Sequence, residues 1–76
     1  MRNNRFPNPA LIIALRDRYP QGTRVELISM NDPYTTLKPG DQGTVSCIDD
    51  TGTIFVNWDN GSSLGVVYGV DYIGKL

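Results

Sequence analysis

The chain has 76 residues, with seven basic side chains, eight acidic ones and no histidine, for a net charge of −1. That length holds one domain. The absence of histidine removes the commonest general base, metal ligand and pH switch, and the charge balance lacks the basic excess usual in nucleic-acid binders.

There is one cysteine, Cys47. An intrachain disulfide is excluded, and a thiolate zinc site lacks ligands. A reduced, cytoplasmic setting is the expectation. Cys47 falls within an apolar strand pattern, where a thiol acts as a small buried hydrophobe.

Met1 to Pro7 reads as a flexible N-terminal arm, and residues 8–76 as a single domain. Asn8 suits an N-cap and Pro9 the first helical position, so a helix is expected from Pro9 to about Arg18, stopped by Pro20 and Gly22. Steps of 100° place Leu11, Ile12, Ala14, Leu15 and Tyr19 on one side and leave Ile13 among the polar residues. The apolar run Leu11–Leu15 is shorter than the roughly 7–15 residues of a secretory core or the about 20 of a membrane span. No targeting segment and no membrane partner are therefore expected.

From Thr23 the period changes to two. Strands are expected at Thr23–Met30, Gly43–Ile48, Thr53–Trp58, Ser62–Val67 and Tyr72–Lys75. Asp32-Pro33 and Lys38-Pro39-Gly40 punctuate a long connection after the first strand, and Asp49-Asp50-Thr51-Gly52 and Asp59-Asn60-Gly61 make tight turns. Gly69-Val70-Asp71 reads as a short helical turn.

This order of five short strands matches a mainly β, small SH3-like five-stranded antiparallel barrel. Alternation points Val25, Leu27, Val45, Cys47, Ile54, Val56, Trp58, Leu64 and Val66 inward. It points Ile28, Met30, Ile48, Phe55 and Val67 outward. So much outward apolar surface predicts that the helix packs on the outside of the barrel as a second layer.

Arg18-Tyr19-Pro20, Gly22-Thr23-Arg24-Val25-Glu26-Leu27, Asp32-Pro33-Tyr34, Pro39-Gly40, Gly43-Thr44-Val45, Trp58-Asp59-Asn60-Gly61-Ser62-Ser63-Leu64 and Gly69-Val70-Asp71 together resemble a bacterial family known as domain of unknown function 4314. The resemblance runs from about Leu15 to Ile73. It implies a short protein often met in mobile elements and phages, and carries no functional residues. Gly43-Thr44-Val45, the Asp-Asp-Thr-Gly turn, Val56-Asn57-Trp58-Asp59-Asn60-Gly61-Ser62 and Tyr68-Gly69 also resemble the barrel half of the MIB/HERC2 domain, a peptide-recognition module of eukaryotic ubiquitin ligases. That likeness covers less than half of the chain and supports the barrel alone.

No residue set spells out catalysis, a metal or a cofactor, so a non-enzymatic binding role is the expectation. Asp49, Asp50 and Asp59 read as turn residues. A protein or peptide partner is expected at Tyr34, Lys38, Trp58, Asn60 and Tyr68, with Tyr72 flanking. For Trp58 and Tyr72 the competing reading is core and barrel closure, and for Tyr34 the anchoring of its loop. The alternative is a weak nucleic-acid-binding module using Arg2, Arg5, Arg16 and Arg18. Self-association through Ile13 or exposed strand edges is the third reading.

Overall fold

The computed structural model describes residues 9–32 and 34–76. Helix α1 (Pro9–Arg18) precedes five strands: β1 (Arg24–Ser29), β2 (Gln42–Ile48), β3 (Thr53–Trp58), β4 (Gly65–Val67) and β5 (Tyr72–Lys75). They form one curled sheet in the order β4-β3-β2-β1-β5, with every neighbouring pair antiparallel. The sheet does not close on itself, because β4 and β5 share no ladder. The expected arm, with Arg2 and Arg5, lies outside the described residues.

The β2–β3 and β3–β4 turns share one geometry. Gly52 N–H donates to the Asp49 carbonyl and Asp49 N–H to the Thr53 carbonyl. Gly61 N–H donates to the Trp58 carbonyl and Trp58 N–H to the Ser62 carbonyl. Gly52 and Gly61 have φ of 87° and 95°, and no other residue type in the described chain has positive φ. Each is a three-residue loop with a left-handed glycine, a bulged hairpin rather than the two-residue turn that Asn-Gly most often makes. Asp49 Oδ1 and Asn60 Oδ1 each accept the N–H two residues on, which stiffens both loops.

Two bulges change the alternation. In β2, Val45 opposes Val56 but Cys47 opposes Phe55, so Ser46 is an extra residue. A bulge of one residue reverses the phase beyond it. Cys47 is therefore exposed and Ile48 is 6% exposed, the reverse of the sequence expectation. In β1, the register shifts between Leu27 and Ser29, leaving Ile28 outside. Met30, expected outside, instead packs against the core.

These reversals also relocate the helix. Leu15 and Tyr19 join Val25, Leu27, Ile48, Ile54, Val56, Trp58 and Val66 in one core. The helix thus packs on the sheet's inner face, while Ile28, Phe55 and Val67 stay uncovered outside. Burying Ile12 and Leu15 contributes about 1.5–3 kcal/mol each before entropy is subtracted. Ile13 is 67% exposed, as its position on the polar side requires.

Arg16, named from the sequence only as a candidate nucleic-acid contact, has a structural role here. Its Nε and Nη2 donate to the Ile48 carbonyl at 3.1 and 2.8 Å, and Nη2 also reaches Asp50 Oδ1 at 3.2 Å. β1 begins only at Arg24, opposite Thr44, so it does not reach this part of β2 to take the carbonyl. Two charge-assisted bonds onto one carbonyl fix the helix to the sheet.

β4 is shorter than expected. Trp58 Nε1 donates to the Leu64 carbonyl at 2.9 Å, which diverts residues 62–64 from the ladder. Gly69 has φ of 86°, and Val70 and Asp71 N–H both donate to the Val67 carbonyl, so residues 68–71 form a turn and not the expected helical turn.

Replacing Arg16 with alanine should lower unfolding free energy by about 1–2 kcal/mol in urea denaturation. Arg16→Lys should recover less than half of the loss, since an ammonium lacks the planar fork. Equal stability of all three proteins would show that the helix is held by apolar packing alone.

Candidate functional site

Asp71 organises the corner where the two ends of the sheet meet. It is the one buried charged residue among the described residues, at 8% exposure. Its Oδ1 accepts Asn31 N–H at 2.8 Å and its Oδ2 accepts Val67 N–H at 3.0 Å. Its own N–H donates to the Val67 carbonyl at 2.9 Å. One carboxylate therefore ties the end of β1, the end of β4 and the start of β5 without a strand ladder. Both oxygens are occupied by main-chain donors.

A groove of about 540 Å³ opens between α1 and this corner. Leu15, Ile54, Val66 and Ile73 line its apolar side, and Tyr68, Tyr72 and Arg18 stand beside them. Leu15, Ile54 and Val66 are buried, Ile73 is partly buried, and both tyrosines are about half exposed. Tyr72 Oη lies 3.4 Å from the Gly69 carbonyl, which holds its ring beside the turn. Arg18 donates from Nε to Tyr19 Oη at 3.1 Å, and its guanidinium lies 5.5 Å from the Tyr19 ring centroid. Among the described residues, no carboxylate pairs with it.

The residues expected to form a partner surface do not line a single groove. Tyr34 is 92% exposed and lines a second, shallower groove with Asp32, Thr35, Thr36, Ser62, Ser63 and Leu64. This groove lies between the β1–β2 connection and the residues after the Asn-Gly hairpin. Trp58 is 3% exposed, and its indole N–H is bonded to Leu64, so it belongs to the core and supports the groove from below. Asn60 is exposed at the hairpin tip, with its amide oxygen on Ser62 N–H. Lys38 is exposed in the Lys38–Asp41 turn, where its N–H donates to Asp41 Oδ2. Tyr68 lines the other groove, beside α1.

Of the arginines named for nucleic acid, Arg16 is engaged with Ile48 and Asp50, Arg18 lies on Tyr19, and Arg2 and Arg5 fall outside the described residues. The cation that sequence reasoning passed over is Arg24. Its guanidinium meets both Asp59 oxygens at 2.8 and 2.7 Å and touches Thr44 Oγ1 and Gln42 Oε1. Arg24 at the start of β1 and Asp59 at the far end of β3 gave no local signal, because only the β1–β2–β3 register makes them neighbours.

Two carboxylates titrate low. Hydrogen bonds from Arg24 hold Asp59 below the usual carboxylate range. The Thr51 hydroxyl does the same for Asp49, helped by Thr53, Thr51 and Gly52 N–H. Asp49 and Asp59 thus stand as turn and surface-pair residues in the fold.

The family model described as Domain of unknown function (DUF4314) matches residues 8–76. The chain belongs to this family. No curated protein and no solved structure matches it. Among the described residues of this family member, no helix is long and apolar enough to cross a membrane. Nor do three or more His, Cys, Asp or Glu side chains gather in an arrangement that could hold a metal ion.

Asp71→Ala leaves two half-buried N–H groups without an acceptor and should cost on the order of 2–4 kcal/mol in urea unfolding, with Asp71→Asn intermediate. An alanine variant as stable as the parent would remove Asp71 from this role. Asp49 and Asp59 are depressed in the folded state, so their stabilisation is complete above about pH 4 and is lost as pH falls through their folded values. The double variant Asp49→Asn, Asp59→Asn should show a flatter acid limb in thermal melts. An unchanged limb would assign acid unfolding to other carboxylates.

Proposed function

We propose that this member of the family is a non-enzymatic accessory module that binds a peptide segment of a partner protein in the groove between α1 and the Asp71 corner. The observation that carries this reading is the combination in one concavity of an apolar lining and two half-exposed tyrosines. Binding sites are generally concave and mostly apolar with a few placed polar groups. Tyrosine gives large contact area at little cost in side-chain entropy. Asp71, the polar group set deepest in the corner, has both oxygens on main-chain donors, which suits a structural part better than acid–base work.

The groove takes one residue, Tyr68, from the expected partner surface and one, Arg18, from the nucleic-acid alternative. The groove beside Tyr34 is more open and more polar, and among the described residues no second aromatic side chain lines it. The alternative loses Arg16, whose donors are engaged within the fold. A cytoplasmic setting and a place in bacterial mobile elements accord with the single thiol and with the family resemblance.

The test is selection of binders from a displayed random-peptide library, followed by titration of the selected peptides. Tyr68→Ala with Tyr72→Ala should weaken them by about tenfold or more, as loss of aromatic contacts does, while Tyr34→Ala should leave them unchanged. Peptides that depend on Tyr34 and ignore Tyr68 and Tyr72 would move the site to the other groove.

A further inference from the structure

β5 is an edge strand, and its main chain has a free side next to the groove. Leu76 N–H donates to the Arg24 carbonyl at 3.0 Å, and the register pairs Val25 with Lys75, Glu26 with Gly74 and Leu27 with Ile73. In an antiparallel ladder, bonded and non-bonded pairs alternate. Gly74 therefore turns its N–H and C=O toward β1, whereas Ile73 and Lys75 turn theirs away. Leu27 confirms the phase: its N–H and C=O bond to Asp41 and Gly40 on the side away from β5. The N–H and C=O groups of Ile73 and Lys75 thus form a short template for an added strand.

The side chains beside this edge define what such a strand must carry. Ile73 packs against the core and lines the groove. A residue placed opposite it on an added strand points to the same face, into the groove. Lys75 lies two residues on, so by alternation its side chain starts from the same face. Arg18 stands at the groove as well. Among the described residues, Arg16 and Arg24 have carboxylate partners, but Arg18 and Lys75 have none. The carboxylate at the groove, Asp71, is committed to Asn31 and Val67. Those hydrogen bonds leave Asp71 its charge, but Arg18 and Lys75 outnumber it, so the local charge among the described residues is net positive.

Given the groove as the binding surface, we infer that its ligand is an extended acidic segment that adds as a sixth strand along β5. It bonds through its backbone to Ile73 and Lys75, lowers an apolar side chain beside Ile73, and sets carboxylates two residues to either side toward Arg18 and Lys75. Backbone pairing supplies most of the register, and the charges select the partner.

The probe is the blocked heptapeptide acetyl-TETLTET-amide, compared with acetyl-TKTLTKT-amide and with a copy of the acidic peptide N-methylated at its central leucine. Amide exchange and chemical shifts are read on the full chain. The acidic peptide should slow exchange at Ile73 and Lys75 and shift Tyr68 and Tyr72, and the basic and N-methylated peptides should not. Arg18→Gln with Lys75→Gln, both at exposed positions, should weaken the acidic peptide by about fivefold, the effect of two exposed ion pairs. Shifts at Tyr68 and Tyr72 without slowed exchange at Ile73 and Lys75 would overturn strand addition and leave the groove as a binding site. Equal binding of the acidic and basic peptides would overturn the charge selection. Silence toward all three, with library-selected peptides still bound in the groove, would overturn the inference alone. Silence toward the selected peptides too would overturn both readings. Exchange at Ile73 and Lys75 that slows with protein concentration, together with a dimer in sedimentation, would show a second copy as the occupant and overturn the peptide.

Discussion

The extra residue in β2 is the constraint on which the arrangement rests. Ser46 breaks the two-residue rhythm, so Ile48 enters the core and Cys47 leaves it. The same strand continues past Arg24, the first residue of β1, so no β1 residue pairs with Ile48. Arg16 takes the Ile48 carbonyl, and α1 is brought onto the inner face of the sheet. Helix position, core content and groove shape all follow from one irregularity in a ladder.

The open side of the sheet is managed by a side chain instead of a ladder. Asp71 accepts from β4 and from the end of β1 while standing at the start of β5. A carboxylate has no donor of its own when ionised and two oxygens to offer, which suits a corner where N–H groups converge. The groove is the volume left between a helix fixed at Ile48 and a corner fixed by Asp71. Its lining is apolar because it continues the core, and its polar rim comes from Arg18, Tyr68 and Tyr72.

Little of the candidate site was legible in advance. Tyr34, Trp58 and Tyr68 are all aromatic and all near turns; alternation marks Trp58 as inward, but nothing in the sequence separates Tyr34 from Tyr68. The structure separates them: Tyr34 stands in a loop, Trp58 lies in the core bonded to Leu64, and Tyr68 stands at the groove. Asp71 looked like one more turn residue, because its partners Asn31 and Val67 are distant in the chain or hidden within an apolar strand. Arg16 looked like a candidate nucleic-acid contact, since nothing local marks the Ile48 carbonyl it reaches. These are properties of register and strand length, which no window of a few residues contains.

The sequence by itself determined the elements. Pro9 and Pro20 bounded α1, alternation marked the strands, and Gly52 and Gly61 set the hairpins, because proline's helix preferences, periodicity and backbone sterics act over only a few residues. Tertiary structure alone decided which face the helix covers, which apolar residues cross the sheet, and which aromatic residues share a groove. A bulge adds one residue without changing composition or local preference, yet it inverts every side chain after it. Its cost and benefit are set by the packing of distant strands, so only the assembled sheet reveals it.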